Sequence, residues 1–124
     1  MEFNLTEVQR SWKSKAESLG KELGLDGAAA DVVMGAARVG LLDPRVDLLA
    51  AAVAVESLAS ESPALGIAFA LHSGIVLALG PDERFSSLVR GEAVGAIALS
   101  TDDMPVEEGG RLSGRAALVG PLTD

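Results

Sequence analysis

The sequence predicts a mainly α fold, an N-terminal bundle of about five helices followed by two or three β-strands. Three observations carry this. Apolar residues recur at steps of three and four in the first helix, and further apolar stretches of helical length follow as far as Gly91. Pro and Gly punctuate that region where helices start and stop. Beyond Gly91 the pattern changes to one short small-apolar run with β-branched residues, set among turn signals. The boundary divides the chain into a helical unit, 1–91, and a partial β unit, 92–124.

Leu5, Val8, Trp12, Ala16, Leu19 and Leu23 form one face of the first helix, and Thr6-x-x-Gln9 has capping-box form at its start. Gly20 and Gly24 weaken its C-terminal end. The second helix spans 27–39, with Val32, Val33, Ala36 and Ala37 on its apolar side and Gly40 as its C′ residue. Asp43-Pro44 reads as a cap followed by Pro at the first helical position, so the third helix is expected over 44–60. Its segment from Leu48 to Val55 is apolar on every side, which predicts neighbours on more than one face.

Ser62-Pro63 repeats the cap-plus-Pro signal, and a fourth helix runs from Pro63 to Leu79 before Gly80. It too is apolar nearly all round. The run is shorter than the roughly 20 residues a bilayer needs, carries His72 and Ser73 at its centre and has no basic flank, so it reads as a buried bundle helix. Pro81 opens a short fifth helix to Arg90, with Phe85, Leu88 and Val89 inward. Val94 to Ser100 reads as a strand buried on both faces, Glu107-Glu108-Gly109-Gly110 as a turn, and 111–119 as one or two strands bent at Gly114. So few strands do not make a stable sheet alone. They are expected to pair with another chain or with more of a sheet.

Composition narrows the function. With no cysteine, thiol chemistry, disulfides and thiolate metal sites are excluded. One histidine makes no His-rich metal site. A net charge of −8 argues against nucleic acid and anionic membranes as partners. A polyanionic ligand would need a local basic site, for which Arg84, Arg90, Arg111 and Arg115 are candidates beside a reading as solvated arginines. Three Phe, one Trp and no Tyr leave a core of Ala, Leu and Val. Such a core buries little area per residue and is marginal alone, a first sign of a protein partner. The segment Met1 to Thr6 lacks a basic stretch followed by an apolar one, so no signal peptide is expected and the cytoplasm is the default.

Several segments, in a fixed order covering almost the whole chain, resemble a known family. Leu5-Thr6-Glu7-Val8-Gln9-Arg10 is similar to an opening "LTEEQR", and Ala37 to Leu42 to "xxxGLLG". Asp47 to Ala59 resembles a central helix "AVALEELAR", and Leu71-His72-Ser73-Gly74 an "HxSL"-like segment. Gly80-Pro81-Asp82-Glu83 stands where "GSEEQ" is usual, Gly91-Glu92 with Ala96 to Ser100 where "GE…AxALTEP" is, and Leu112-Ser113-Gly114-Arg115 where "LNGRK" is. The family these segments resemble is the acyl-CoA dehydrogenases.

The resemblance implies a helical N-terminal domain leading into a flavin-binding β domain. It implies a component of an FAD-dependent oxidoreductase that desaturates an acyl-CoA thioester, incomplete by itself and joined to a second protein chain as a homo- or hetero-oligomer. It places Leu99, Ser100 and Thr101 at the cofactor and His72 at the substrate. The chemistry needs a base for the α-proton, donors for the enolate oxygen and a flavin for the hydride. The family's base, a Glu of a C-terminal helical domain, has no counterpart in these residues.

The chain also departs from the pattern. Asp102-Asp103-Met104-Pro105 shortens the loop that touches flavin in the family, and Leu118, Val119 and Gly120 stand where a Trp and a Thr face the flavin. These departures motivate an alternative, a non-catalytic interaction or scaffold subunit that keeps the fold without a flavin site. An unrelated helical bundle with a terminal hairpin is a third reading. Residue by residue, Glu56 is either a carboxylate of raised pKa on an apolar helix or a structural carboxylate paired with Arg38 or capped by backbone. His72 is either an acid–base or substrate group or a hydrogen-bonded core histidine at a helix junction. Asp102 and Asp103 are turn residues or metal ligands.

Overall fold

A computed structural model describes residues 4–98, 106–114 and 119–120. Among them the helices are α1 (Glu7–Leu23), α2 (Ala29–Val39), α3 (Leu48–Glu61), α4 (Pro63–Leu79) and the four-residue α5 (Ser86–Val89), which follows a 3-10 turn at Glu83–Phe85. The strands are β1 (Ile97–Ala98), β2 (Val106–Glu108), β3 (Arg111–Ser113) and β4 (Val119–Gly120). The fold is thus mainly helical with a small antiparallel β part at the C-terminal end, as the patterning predicts.

Local chemistry sets most helix ends. Thr6 caps α1: its Oγ1 accepts from the Gln9 N–H at 3.2 Å, and the Gln9 Oε1 accepts from the Thr6 N–H at 3.0 Å. At the end of α2, Gly40 adopts φ +81°, its N–H donates to the Ala37 carbonyl at 3.2 Å, and the Leu41 N–H donates to Ala36 at 2.8 Å. This is a Schellman closure, which the missing Cβ of glycine permits. Ser62 serves both α3 and α4. Its N–H donates to Leu58 (2.9 Å) and its carbonyl accepts from Gly66 (3.2 Å), with Pro63 at the first position of α4.

α3 corrects the expectation. It starts at Leu48, not at Pro44. Asp43 folds an Asx turn instead, its Oδ1 accepting from the Arg45 N–H at 2.9 Å. The cap is Asp47, whose Oδ1 accepts from the Ala50 N–H at 2.9 Å and from Gln9 Nε2 at 3.1 Å. The second bond ties the start of α3 to the first turn of α1. It also accounts for a shift in the α1 face: Gln9 is buried, while Val8 is 51% exposed.

These bonds, the Ala50 amide foremost and Gln9 next, hold the Asp47 carboxyl below the usual carboxylate range. A depressed pKa means stability that is present above the unfolded carboxyl value and lost as pH falls through the folded one. Asp47→Ala is therefore expected to lower the thermal midpoint more at neutral pH than in strong acid. Melting curves at both pH values check this.

The core lies where α3 crosses α1 and α4, with α2 against α1 and α4. It holds Trp12, Leu19, Val32, Val33, Leu41, Leu58, Leu65 and Phe69 around small residues such as Ala16, Ala36, Ala50 and Ala54. Glycine lets the helices approach closely. A Cβ on Gly66 would stand 2.6 Å from Ala59 Cβ and 2.9 Å from its Cα, and one on Gly35 would meet Leu19 Cδ1 at 2.5 Å.

The β part is less regular than predicted. β2 and β3 pair antiparallel through Val106↔Ser113 and Glu108↔Arg111, turning on Gly109 and Gly110 with φ +56° and +77°. This is the positive-φ pair of a two-residue hairpin. Glu107 and Glu108 accordingly belong to the strand rather than to the turn. β1 pairs with β4 through Ile97↔Gly120 and Ala98↔Val119. The buried strand expected over 94–100 is described only to Ala98. There Gly95 is buried, Val94 and Ile97 are half-buried and Ala96 is exposed, so the described part is not covered on both faces.

Candidate functional site

Three structures meet around α5, namely the C-terminal half of α4, the α2–α3 connection and the segment that enters β1. Asp82 starts the 3-10 turn, its Oδ1 accepting from the Arg84 N–H at 2.9 Å. Gly91 ends α5 with φ +71°, and its backbone lies hard against α2. A Cβ there would stand 2.8 Å from Ala37 Cβ and 3.0 Å from the Val33 carbonyl oxygen. Gly91→Ala thus adds backbone strain to a clash with backbone. It is expected to cost about 1–3 kcal/mol and to speed exchange of the Arg90 and Gly95 amides relative to those of α1, as hydrogen exchange would read.

His72 sits at this junction with no exposed surface. Its Nδ1 accepts from the Gly95 N–H at 2.9 Å, and its Nε2 lies 2.9 Å from the Leu88 carbonyl. An accepting Nδ1 places the proton on Nε2, which donates to Leu88. The ring is therefore neutral, with both nitrogens occupied, and burial pushes its pKa down, only partly offset by the Leu88 bond. The alternative of a hydrogen-bonded histidine at a helix junction describes this geometry. Both ring nitrogens reach backbone rather than open space.

The other side of α5 borders a groove of about 560 Å³ between the α2–α3 connection and Pro81–Arg90. Leu42, Pro44 and Val89 give it apolar walls, Arg45 and Ser86 supply donors, and Asp43, Asp82 and Glu83 line it with carboxylates. Among the described residues Arg45 forms no ion pair. The sequence carries no pattern for this groove, because it joins segments about forty residues apart in the chain. A second cavity, about 520 Å³, lies between α1 and α3 and mixes Lys13 and Lys21 with Glu17, Glu56 and Glu61.

The remaining candidates fall differently from expectation. Arg84 is forked onto Asp82 (2.7 Å) and lies over the Phe85 ring, and Arg90 is held by Glu92 (2.9 Å). Their charges are matched locally, so they do not add up to a basic site. The Asp82 carboxyl is held low by the Arg84 guanidinium. Glu56 does not meet Arg38. It is exposed on α3, while Arg38 pairs with Glu22 at 2.8 Å. Arg111 lies on the exposed β2–β3 hairpin. Leu99, Ser100 and Thr101, with Asp102, Asp103, Arg115 and Leu118, lie outside the described residues. Among the described residues no three His, Asp or Glu side chains converge as metal ligands, and no helix is long and apolar enough to cross a membrane.

The surface carries a different signal. Ile67 (62% exposed), Leu48 (76%) and Leu112 (78%) are large apolar side chains left in contact with solvent. α4 contains no Asp, Glu, Lys or Arg, and its solvent side is formed by Ala64, Ile67, Leu71, Gly74 and Ala78, of which only Leu71 is partly covered. No protein-family model, curated protein or solved structure matches the chain.

Proposed function

We propose that the chain is an interaction subunit, a helical scaffold that buries the outer face of α4 against protein. The observation that carries this is the charge-free apolar side of a 17-residue helix facing solvent in a chain of net charge −8. An apolar patch framed by polar surface is the usual mark of a protein contact. His72 supports the same reading, since a neutral ring bonded to two backbone groups acts as a brace for α5 and β1.

Carbene footprinting tests it. In buffer at low concentration, label is expected on Ile67 and Leu71. In a native extract the same residues are expected to be protected while Leu25, also exposed, is not. Equal labelling of Ile67 in both settings would overturn the proposal.

The order of helices before strands, with the change at Gly91, favours a second reading as a component of an FAD-dependent acyl-CoA dehydrogenase-like enzyme. Equilibrium dialysis against FAD and against an acyl-CoA separates the two. Saturable FAD retention, weakened by Ser100→Ala, would favour the enzyme component over the scaffold.

A further inference from the structure

Gly74 is at odds with the other interior glycines of the long helices. A Cβ on Gly20, Gly35 or Gly66 would come within 3 Å of another side chain, so close packing inside the chain explains each of them. A Cβ on Gly74 would meet nothing within 4 Å. A glycine inside a helix is less stable than alanine by about 1 kcal/mol, and no contact within the described fold uses this one. It forms a notch in the middle of the apolar outer face of α4.

That face is partly symmetric. A two-fold axis through Leu71 sets α4 antiparallel to a second α4, bringing the exposed Ala64 opposite the exposed Ala78 of the other copy and Ile67 opposite its half-buried Ile75, whose Cδ1 lies toward Gly95. The exposed Ile67 then lies about one residue's rise, roughly 1.5 Å, from the level of the notch at Gly74. Small residues and a notch let the helix axes approach closely. Charge points to the same occupant. With 18 acidic and 10 basic residues, most faces of the chain would set acid against acid in a pair of copies, whereas this face has no ionisable side chain other than the inward, neutral His72.

From this geometry, and resting on the interaction-subunit reading, we propose that the partner seated on α4 is a second copy of this chain, paired antiparallel about Leu71. A strip one helix long and about 10 Å wide covers roughly 250 Å² per copy, against the roughly 800 Å² per partner of a stable interface. The pair is therefore weak and concentration-dependent.

Sedimentation of the purified chain from micromolar to millimolar concentration is expected to pass from monomer to dimer. Ile67→Glu and Gly74→Leu are each expected to weaken the dimer by roughly tenfold or more, by burying a charge or by filling the notch. Both positions are exposed, so the monomer keeps its helical spectrum. The chain has no cysteine, so single replacements report register. Leu71→Cys is expected to oxidise to a disulfide dimer, because only the residue on the axis meets itself within the reach of an S–S bond. Ala64→Cys alone is not, while an equal mixture of Ala64→Cys and Ala78→Cys is expected to cross-link.

A monomer at every concentration overturns the proposal, as does Ala64→Cys oxidising as fast as Leu71→Cys, the mark of parallel pairing. A monomer whose α4 face is nonetheless protected in extract overturns self-pairing and leaves the interaction-subunit reading standing. A monomer without that protection overturns both.

Discussion

Phe69→Ala is expected to cost about 3–5 kcal/mol of folding free energy. Phe69 is fully buried in α4 and is the largest of the fully buried side chains. Its neighbours in the core are mostly Ala, Val and Leu on helices already in close contact, so little can move in to fill the void. Against the roughly 5–15 kcal/mol that keeps a domain folded, such a loss consumes much of the margin. A core built on alanine places this chain toward the lower end of that range. Urea titration is expected to show a much lower midpoint with an unchanged slope. A loss below about 1 kcal/mol would mean that α2 or α3 collapses onto the site and that the core is far more plastic than its close helix contacts indicate.

His72→Phe is expected to loosen the C-terminal part from the bundle. Phenylalanine keeps a ring in place but leaves the Gly95 N–H without its partner, while the Leu88 carbonyl keeps the Gly91 N–H at 3.3 Å. A buried group left unpaired costs about 1–3 kcal/mol. The loss is expected to be local. Amides from Arg90 to Ile97 should exchange faster while those of α1 and α3 stay protected.

The same residue sets the pH dependence. Burial lowers the pKa of His72 in the folded state below the value of about 6.5 it has in an unfolded chain. In the window between the two values the unfolded chain holds the extra proton, so stability rises with pH there. The contribution is complete above about pH 6.5 and is lost as pH falls toward the folded value.

No charged side chain contributes to the shift. Of the ion pairs nearest in sequence on the elements packed against the ring, Arg90–Glu92 is exposed and Arg84 is exposed on a half-buried Asp82, and Asp31 and Arg38 on α2 are exposed too. The chain has one histidine. A fall in unfolding free energy between pH 7 and pH 5, absent in His72→Phe, therefore reads this group alone. The same slope in both proteins would show that the imidazole binds its proton equally well in the folded and unfolded chain, so that the Gly95 bond does not oppose protonation.

Features governed by near neighbours in the chain were legible before any coordinates. Thr6 with Gln9, Gly40, Ser62-Pro63 and Gly80 place helix ends because a cap is an exchange of hydrogen bonds within a few residues. α4 runs from Pro63 to Leu79 as its sequence predicts. The same local reasoning misplaces α3. Asp43-Pro44 and Asp47 both satisfy the short-range pattern, and Gln9, 38 residues away from Asp47, helps to decide between them. The double-glycine hairpin was legible as a turn, but its extent was not, since two glutamates in a strand and two in a loop look alike in sequence.

The sequence by itself determined that apolar helices come first, that a short β part follows, and that α4 offers no charge on any side. Only the tertiary structure decided which side of α4 is left in water and what His72 holds. A helix that is apolar all round carries no record of its own orientation, because orientation comes from the shapes of α2 and α3 against it. The partners of His72 lie 16 and 23 residues further along the chain, at a distance where spacing no longer specifies contact.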